Sequence, residues 1–254
     1  MLHAMNVTVG YGEKAILHNL SVTIPQGKVT ALIGPNGCGK STLLKTLSRV
    51  ITPSSGQVQL NGRPLSKWVT KAIAQHISLL PQNLLHPEGI TVRQLVEYGR
   101  TPYVSHWGRL KSEDRHIVEQ AMVRTGVDEF QHTLLDGLSG GQRQRAWIAM
   151  ILAQDTEIVM LDEPTTFLDL SHQIELMQII RDMQATGKTV VVVLHDLNQA
   201  ARYCDHLVVL KQGVIEAEGA PEAIMTHQLL NDVFSVKAKV VADPVSGTPL
   251  CVPL

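Results

Sequence analysis

Gly34-Pro35-Asn36-Gly37-Cys38-Gly39-Lys40-Ser41-Thr42 lies between a short apolar run, 28–33, and a stretch with helical spacing, 40–50. Strand, glycine-rich loop and helix in that order match G-x-x-x-x-G-K-[ST]. The glycines let successive backbone N–H groups turn inward toward phosphate oxygens. Lys40 is then expected to reach β- and γ-phosphates, and Ser41 to hold Mg²⁺. The helix opening at this point adds its partial positive charge. Cys38 within the loop reads as a small residue that fits, with a reactive thiol as the alternative; only a lowered pKa would support the latter.

Around this unit, strands and helices alternate. Runs 2–9 and 19–24 alternate apolar and polar residues as half-buried strands do, with Tyr11-Gly12-Glu13-Lys14 as a turn. A strand at 57–60 meets the turn signal Asn61-Gly62. Downstream come a helix at 141–153, a strand at 158–161, a helix near 171–184 and a strand at 189–194. This order predicts an α/β fold with a mainly parallel sheet covered on both faces. Between Gln82 and Asp136 the strand-like runs vanish, and 92–98 and 112–125 carry the period of amphipathic helices. The expectation is one domain, 1–254, with an α/β core (1–82 and 136–254) and a helical subdomain (83–135). Beyond Ala220 a short helical pair and a strand at 236–241 are expected, with 243–254 at the surface.

Bulk properties narrow the functions. The chain has 254 residues and a formal net charge of −1, so no basic excess is available for a phosphate polymer, and nucleic acid is not an expected partner. Three cysteines without a Cys-x-x-Cys pair predict neither a disulfide framework nor a thiolate zinc site. The 11 histidines are scattered, without a metal-binding spacing. Met1-Leu2-His3-Ala4-Met5-Asn6 has no leader pattern, and the longest apolar run, 190–194, is strand-sized. A soluble protein is expected, reaching a membrane only through a partner.

Two further motifs carry chemistry. The apolar run 158–161 ends in Asp162-Glu163. In phosphate-loop ATPases such an Asp completes the Mg²⁺ oxygen shell, and the following Glu polarises the attacking water. Leu138-Ser139-Gly140-Gly141-Gln142 then opens a second helix that Ser139 can cap and whose glycines permit close approach of an anion.

Together with the phosphate loop, 138–142 resembles the signature motif of the nucleotide-binding subunits of ABC transporters, including their N-terminal antiparallel β subdomain. The resemblance extends over essentially the whole chain. It implies that Tyr11 stacks on adenine and that Gln82, in Leu79-Leu80-Pro81-Gln82, touches Mg²⁺ and water. It places Asp169, in Phe167-Leu168-Asp169, at a dimer seam and His195, in Val193-Leu194-His195-Asp196, at the γ-phosphate. It also implies two copies sandwiching two ATP molecules, permease subunits as partners, a substrate-binding protein acting indirectly, and a place on the cytoplasmic face of the membrane. The stretches 162–173, 87–92 and 98–102 resemble importers of iron–siderophore complexes and cobalamin, and Trp107-Gly108-Arg109-Leu110 with Phe234-Ser235-Val236 is most similar to ferric citrate-type and related Fe³⁺–siderophore systems. Cobalamin, haem and divalent-metal importers have similar subunits. Tyr103 and Trp107 either line a groove for a permease helix or pack the insert's own core; both readings stand at this point.

Overall fold

A computed structural model describes every residue except Glu13, His86, 105–108 and Phe167. Trp107 and Phe167 therefore lie outside the described residues. The chain forms two compact units, Met1–Trp68 with Met183–Leu254, and Val69–Asp182. The second is wider than the 83–135 insert expected from the sequence, because it also includes a pair of strands.

The first unit opens with β1 (Leu2–Tyr11) and β2 (Lys14–Ile24), an antiparallel pair in which Leu2 faces Ile24 and Tyr11 faces Lys14. Their inward residues, Leu2, Val7, Val9, Leu17, Leu20 and Ile24, are all buried, and irregularities at Asn6 and Asn19, both with positive φ, bring even- and odd-numbered residues to that one face. β3 (Val29–Ile33) is buried along its whole length and leads through the loop into α1 (Lys40–Leu47). β4 (Ser55–Leu60) and β5 (Arg63–Pro64) form a hairpin about Asn61-Gly62 and extend the β1–β2 sheet.

In the second unit, α2 (Thr70–His76) runs straight into β6 (Ile77–Leu80). α3 (Val92–Tyr98) and α4 (Ser112–Arg124) follow, and then α5 (Gly140–Gln154) and β7 (Ile158–Asp162). β6 and β7 pair in parallel, Ile77 opposite Ile158 and Leu80 opposite Leu161. Gly99 allows the end of α3 to approach α5 closely: a Cβ there would lie 2.3 Å from the Met150 carbonyl oxygen. The buried Arg100 Nε donates to Asp114 Oδ1 at 2.9 Å and its Nη1 to the Ala153 carbonyl at 2.8 Å, joining the end of α3 to α4 and α5. Its guanidinium also lies 3.9 Å from the Tyr103 ring centroid, and the Tyr103 hydroxyl donates to Gln75 O at 3.4 Å. Tyr103 is thus a packing residue of this unit. α6 (Leu170–Ala185) leads back to the first unit.

There β8 (Thr189–Val193), α7 (Leu197–Tyr203), β9 (His206–Lys211) and β10 (Val214–Gly219) follow, the strands of this unit running in the order β10-β9-β3-β8 within their sheet. β3 is parallel to both β8 and β9. α8 (Pro221–Ile224) and α9 (His227–Phe234) form the short helical pair. β11 (Ala238–Ala242) pairs with β12 (Pro249–Pro253), so 243–254 contains a strand that the sequence reading does not include. Asn198 on α7 holds that strand by a two-point clamp: its Nδ2 donates to Cys251 O at 3.2 Å and its Oδ1 accepts from Cys251 N at 2.7 Å.

Candidate functional site

In the first unit, the turn from β3 into α1 has a shape that only glycine sustains. Gly34, Gly37 and Gly39 have φ of 149°, 76° and 109°, and a Cβ on Gly34 would sit 2.1 Å from the Leu210 carbonyl oxygen. Pro35 O accepts from Cys38 N, a further bond within the turn that also contains Asn36. α1 begins at Lys40 with no side-chain cap. The first N–H groups of a helix have no partner within it. Lys40 is buried, and its Nζ donates to Gly34 O at 2.8 Å and Pro35 O at 3.0 Å, which keeps a positive charge over the loop. Ser41 and Thr42 occupy the first turn of α1. Uncapped N–H groups, a fixed ammonium and a concave backbone fit a polyphosphate.

Cys38 is buried beside Gly34, and burial pushes its thiol pKa up against the lowering pull of Lys40. The neutral thiol favours a packing role.

A residue absent from the sequence reading holds this loop. Gly213, in the turn between β9 and β10, donates its N–H to Cys38 O at 3.0 Å, and its carbonyl accepts from His18 N at 3.0 Å. A Cβ on Gly213 would lie 2.1 Å from Ile16 O, and its φ is 81°. The Gln212-Gly213 pair is a turn signal in the sequence, but its contact with the loop is purely tertiary. Tyr11, at the end of β1, is 56% exposed, and His195, just beyond β8, is also exposed.

The second unit gathers the other candidates. β7 ends in Asp162, fully buried, and Glu163, whose φ of 53° is unusual for a residue with a side chain. That backbone costs about 1–2 kcal/mol. Gln82, just beyond β6, donates Nε2 to Glu163 Oε2 at 2.7 Å. Gln144 on α5 donates to Pro164 O at 3.0 Å, tying the same turn to the helix. Gln82, Asp162, Glu163, Leu168 and Gly140 line one cavity of ≈ 580 Å³. This brings together two carboxylates and an amide, groups suited to a metal ion and a water molecule, beside the start of α5.

Ser139 caps α5 in a reciprocal box, accepting from Gln142 N at 3.2 Å and donating its own N–H to Gln142 Oε1 at 2.9 Å. Gly140 and Gly141 then occupy the first helical turn with φ outside the left-handed region. A Cβ on Gly140 would meet nothing within 4 Å, and one on Gly141 only the His172 ring, at ordinary contact distance. The fold of this chain therefore requires neither glycine, and each costs helix stability relative to alanine. Asp169 accepts from the His172 backbone N–H at 3.0 Å and from Ser171 Oγ at 2.9 Å. Those bonds, the backbone one first, hold its carboxyl below the usual carboxylate range.

Among the described residues, no helix is long and apolar enough to cross a membrane.

Comparison with known proteins agrees with this geometry. The family model described as ABC transporter matches residues 17–166. The ferric enterobactin transport ATP-binding protein FepC of Escherichia coli (strain K12) is 49% identical over 254 residues, covering 100% of this chain and 94% of that protein. The iron(3+)-hydroxamate import ATP-binding protein FhuC of Bacillus subtilis (strain 168) is 48% identical over 244 residues, covering 96% and 91%. The solved dimeric structure of MJ0796, a bacterial ABC transporter cassette, superimposes with a TM-score of 0.79 at 30% identity, covering 87% of this chain and 98% of that one. A phosphate loop, a carboxylate pair closing a buried strand, a glycine-opened second helix and these relatives have one reading: the chain belongs to the ABC transporter family, as an ATP-binding ATPase subunit.

Proposed function

We propose that two copies of this chain bind and hydrolyse ATP on the cytoplasmic face of a membrane and so power a permease that imports an Fe³⁺–siderophore complex. The observation that carries the two-copy part is the pair Gly140-Gly141. A Cβ on Gly140 would meet nothing and one on Gly141 would only rest on the His172 ring, so the chain's own fold needs neither glycine, and the pair serves an incoming group: the phosphates of ATP held by the other copy. The dimeric cassette among the relatives supports the same arrangement. The siderophore part rests on the cargo for which the enterobactin and hydroxamate relatives are named.

In this reading the turn Gly34–Thr42 cradles the phosphates through its N–H groups, and Lys40 neutralises the β- and γ-oxygens. Tyr11 stacks on the adenine. Mg²⁺, when bound, neutralises phosphate charge; Ser41, Asp162 and Gln82 are the residues that would hold it or its waters. Glu163 accepts the proton of the attacking water, and Gln82 orients that carboxylate by the hydrogen bond described above. His195 contacts the γ-phosphate, and Ser139, Gly140, Gly141, Gln142 and Asp169 belong to the face that meets the second copy. A ligand shared between the copies favours the closed pair, and loss of its terminal phosphoryl group releases it. A substrate-binding protein would deliver cargo to the permease.

The test is Glu163→Gln in vesicles with the cognate permease, alongside uptake of radiolabelled iron on hydroxamate, catecholate and citrate chelators. Hydrolysis should fall by about 10²–10⁴, ATP binding should persist, an ATP-dependent dimer should accumulate, and uptake should stop. Hydrolysis at the parental rate would remove Glu163 as the base. Uptake indifferent to every iron chelate would remove the cargo assignment while leaving the ATPase intact.

A further inference from the structure

Glu163 holds a backbone shape that its own sequence opposes. Its φ of 53° lies in the left-handed region, which residues with side chains seldom adopt. It also precedes Pro164, and a proline ring pushes the residue before it toward extended backbone. Strain of this kind persists only where the surroundings over-determine it. The Gln82 bond acts on the Glu163 carboxylate, and inside the turn Thr166 N donates to Glu163 O at 3.3 Å. A further bond reaches the backbone of the turn from α5. There the half-buried Gln144 donates Nε2 to Pro164 O at 3.0 Å, across 20 residues of sequence. Gln144 and Glu163 line the same cavity.

We propose that Gln144 is a positioning residue: by holding the Pro164 carbonyl it keeps the Glu163 turn left-handed and so aims the carboxylate at the attacking water. That role rests on the reading of Glu163 as the base. Without the amide the turn can relax toward the extended shape that Pro164 favours, and the carboxylate swings off its line. A displacement of about 1 Å at a reacting group can slow a reaction about 10²-fold. Gln144 stands in the second turn of α5, outside the capping box that Ser139 and Gln142 form at the helix start. Loss of its amide therefore leaves that start intact.

The experiment measures ATP hydrolysis by the full-length chain with its cognate permease, for Gln144 variants alone and combined with Glu163→Gln. Gln144→Ala should lower kcat about tenfold, the scale of one hydrogen bond, and leave the KM for ATP at the parental value. Gln144→Met keeps the length of the side chain without a donor and should be as slow as alanine. Gln144→Lys restores a donor and should recover part of the rate. On the Glu163→Gln background, Gln144→Ala should take nothing further from the residual rate, because a misaimed base and an absent base slow the same step. ATP-driven pairing of that double variant, followed by sedimentation, should match Glu163→Gln alone. Parental kcat for Gln144→Ala, losses that add in full on the Glu163→Gln background, or weakened pairing would each overturn the proposal, as would alanine and methionine variants that do not fold. A normal Glu163→Gln defect beside an indifferent Gln144→Ala removes the positioning role alone. Hydrolysis by Glu163→Gln at the parental rate removes the base itself and this proposal with it.

Discussion

Replacing Gly141 with alanine should make the protein more stable and less active at once. The helix opening at Gly140 carries glycine at two positions where the backbone is ordinary, so alanine restricts the unfolded chain without straining the folded one. Such a change stabilises by about 0.4–1 kcal/mol. For a chain of this size that is a rise of about 1–4 °C in melting temperature. The new methyl would meet the His172 ring at 3.6–3.7 Å, normal van der Waals contact, so no steric penalty offsets the gain. In the proposed mechanism the added methyl also crowds the helix start that receives a phosphate of the other copy's ATP and holds that phosphate off its N–H groups. Loss of one preorganised donor of this kind lowers kcat by about 10²–10³. Calorimetric melting and phosphate release at saturating ATP, run on one preparation, check both halves. A variant that melts below the parent would contradict the open space seen at this helix start. One that hydrolyses ATP at the parental rate would remove the reason given for a glycine there.

Gly213→Ala should do the opposite, destabilising the fold by about 2 kcal/mol or more and weakening nucleotide binding, because the bond from its N–H to Cys38 O shapes the phosphate loop. Denaturant unfolding with fluorescent-nucleotide titration checks this, and unchanged affinity would show that the loop keeps its form unaided. Asp114→Ala should cost about 3–5 kcal/mol by leaving the buried Arg100 guanidinium without its carboxylate. Burial raises the Asp114 pKa, but bonds from Lys111 N and Arg100 outweigh it and leave the carboxyl below its usual range. With a folded pKa below the unfolded one, the stabilisation is complete above roughly pH 4 and fades as pH falls through the folded value. Unfolding curves measured down through that range should therefore converge for parent and variant; curves that stay parallel would refute the linkage.

The parts legible in the sequence are those whose signal is local. β3, the loop and α1 are marked by an apolar run, three glycines and a lysine; α3 and β7 fall within a residue of the spans their periodicity predicts. The junction of α2 and β6 has no glycine or proline to punctuate it, and the polar Lys71, Gln75 and His76 mask the change of period. β12 has proline at both ends, which argues against a central strand, but it lies in a two-stranded sheet where edge positions tolerate proline. Within the candidate site, the residue types at 34–42, 82, 139–142, 162–163 and 169 could be read directly. Gly213 could not, because it matters through a contact with residues far along the chain.

The grip of the Gly213 turn on Cys38 has a consequence for how fast a nucleotide can be captured. Its N–H meets the Cys38 carbonyl while its own carbonyl meets β2, so the cradle is cast into shape by the surrounding sheet rather than moulded around its guest. A receptor of that kind spends little entropy on ordering itself at the moment of encounter. Capture by a lone copy is then governed by diffusion and by the displacement of Lys40 from the two carbonyls it now contacts, and slower kinetics are left to the later meeting of two loaded copies.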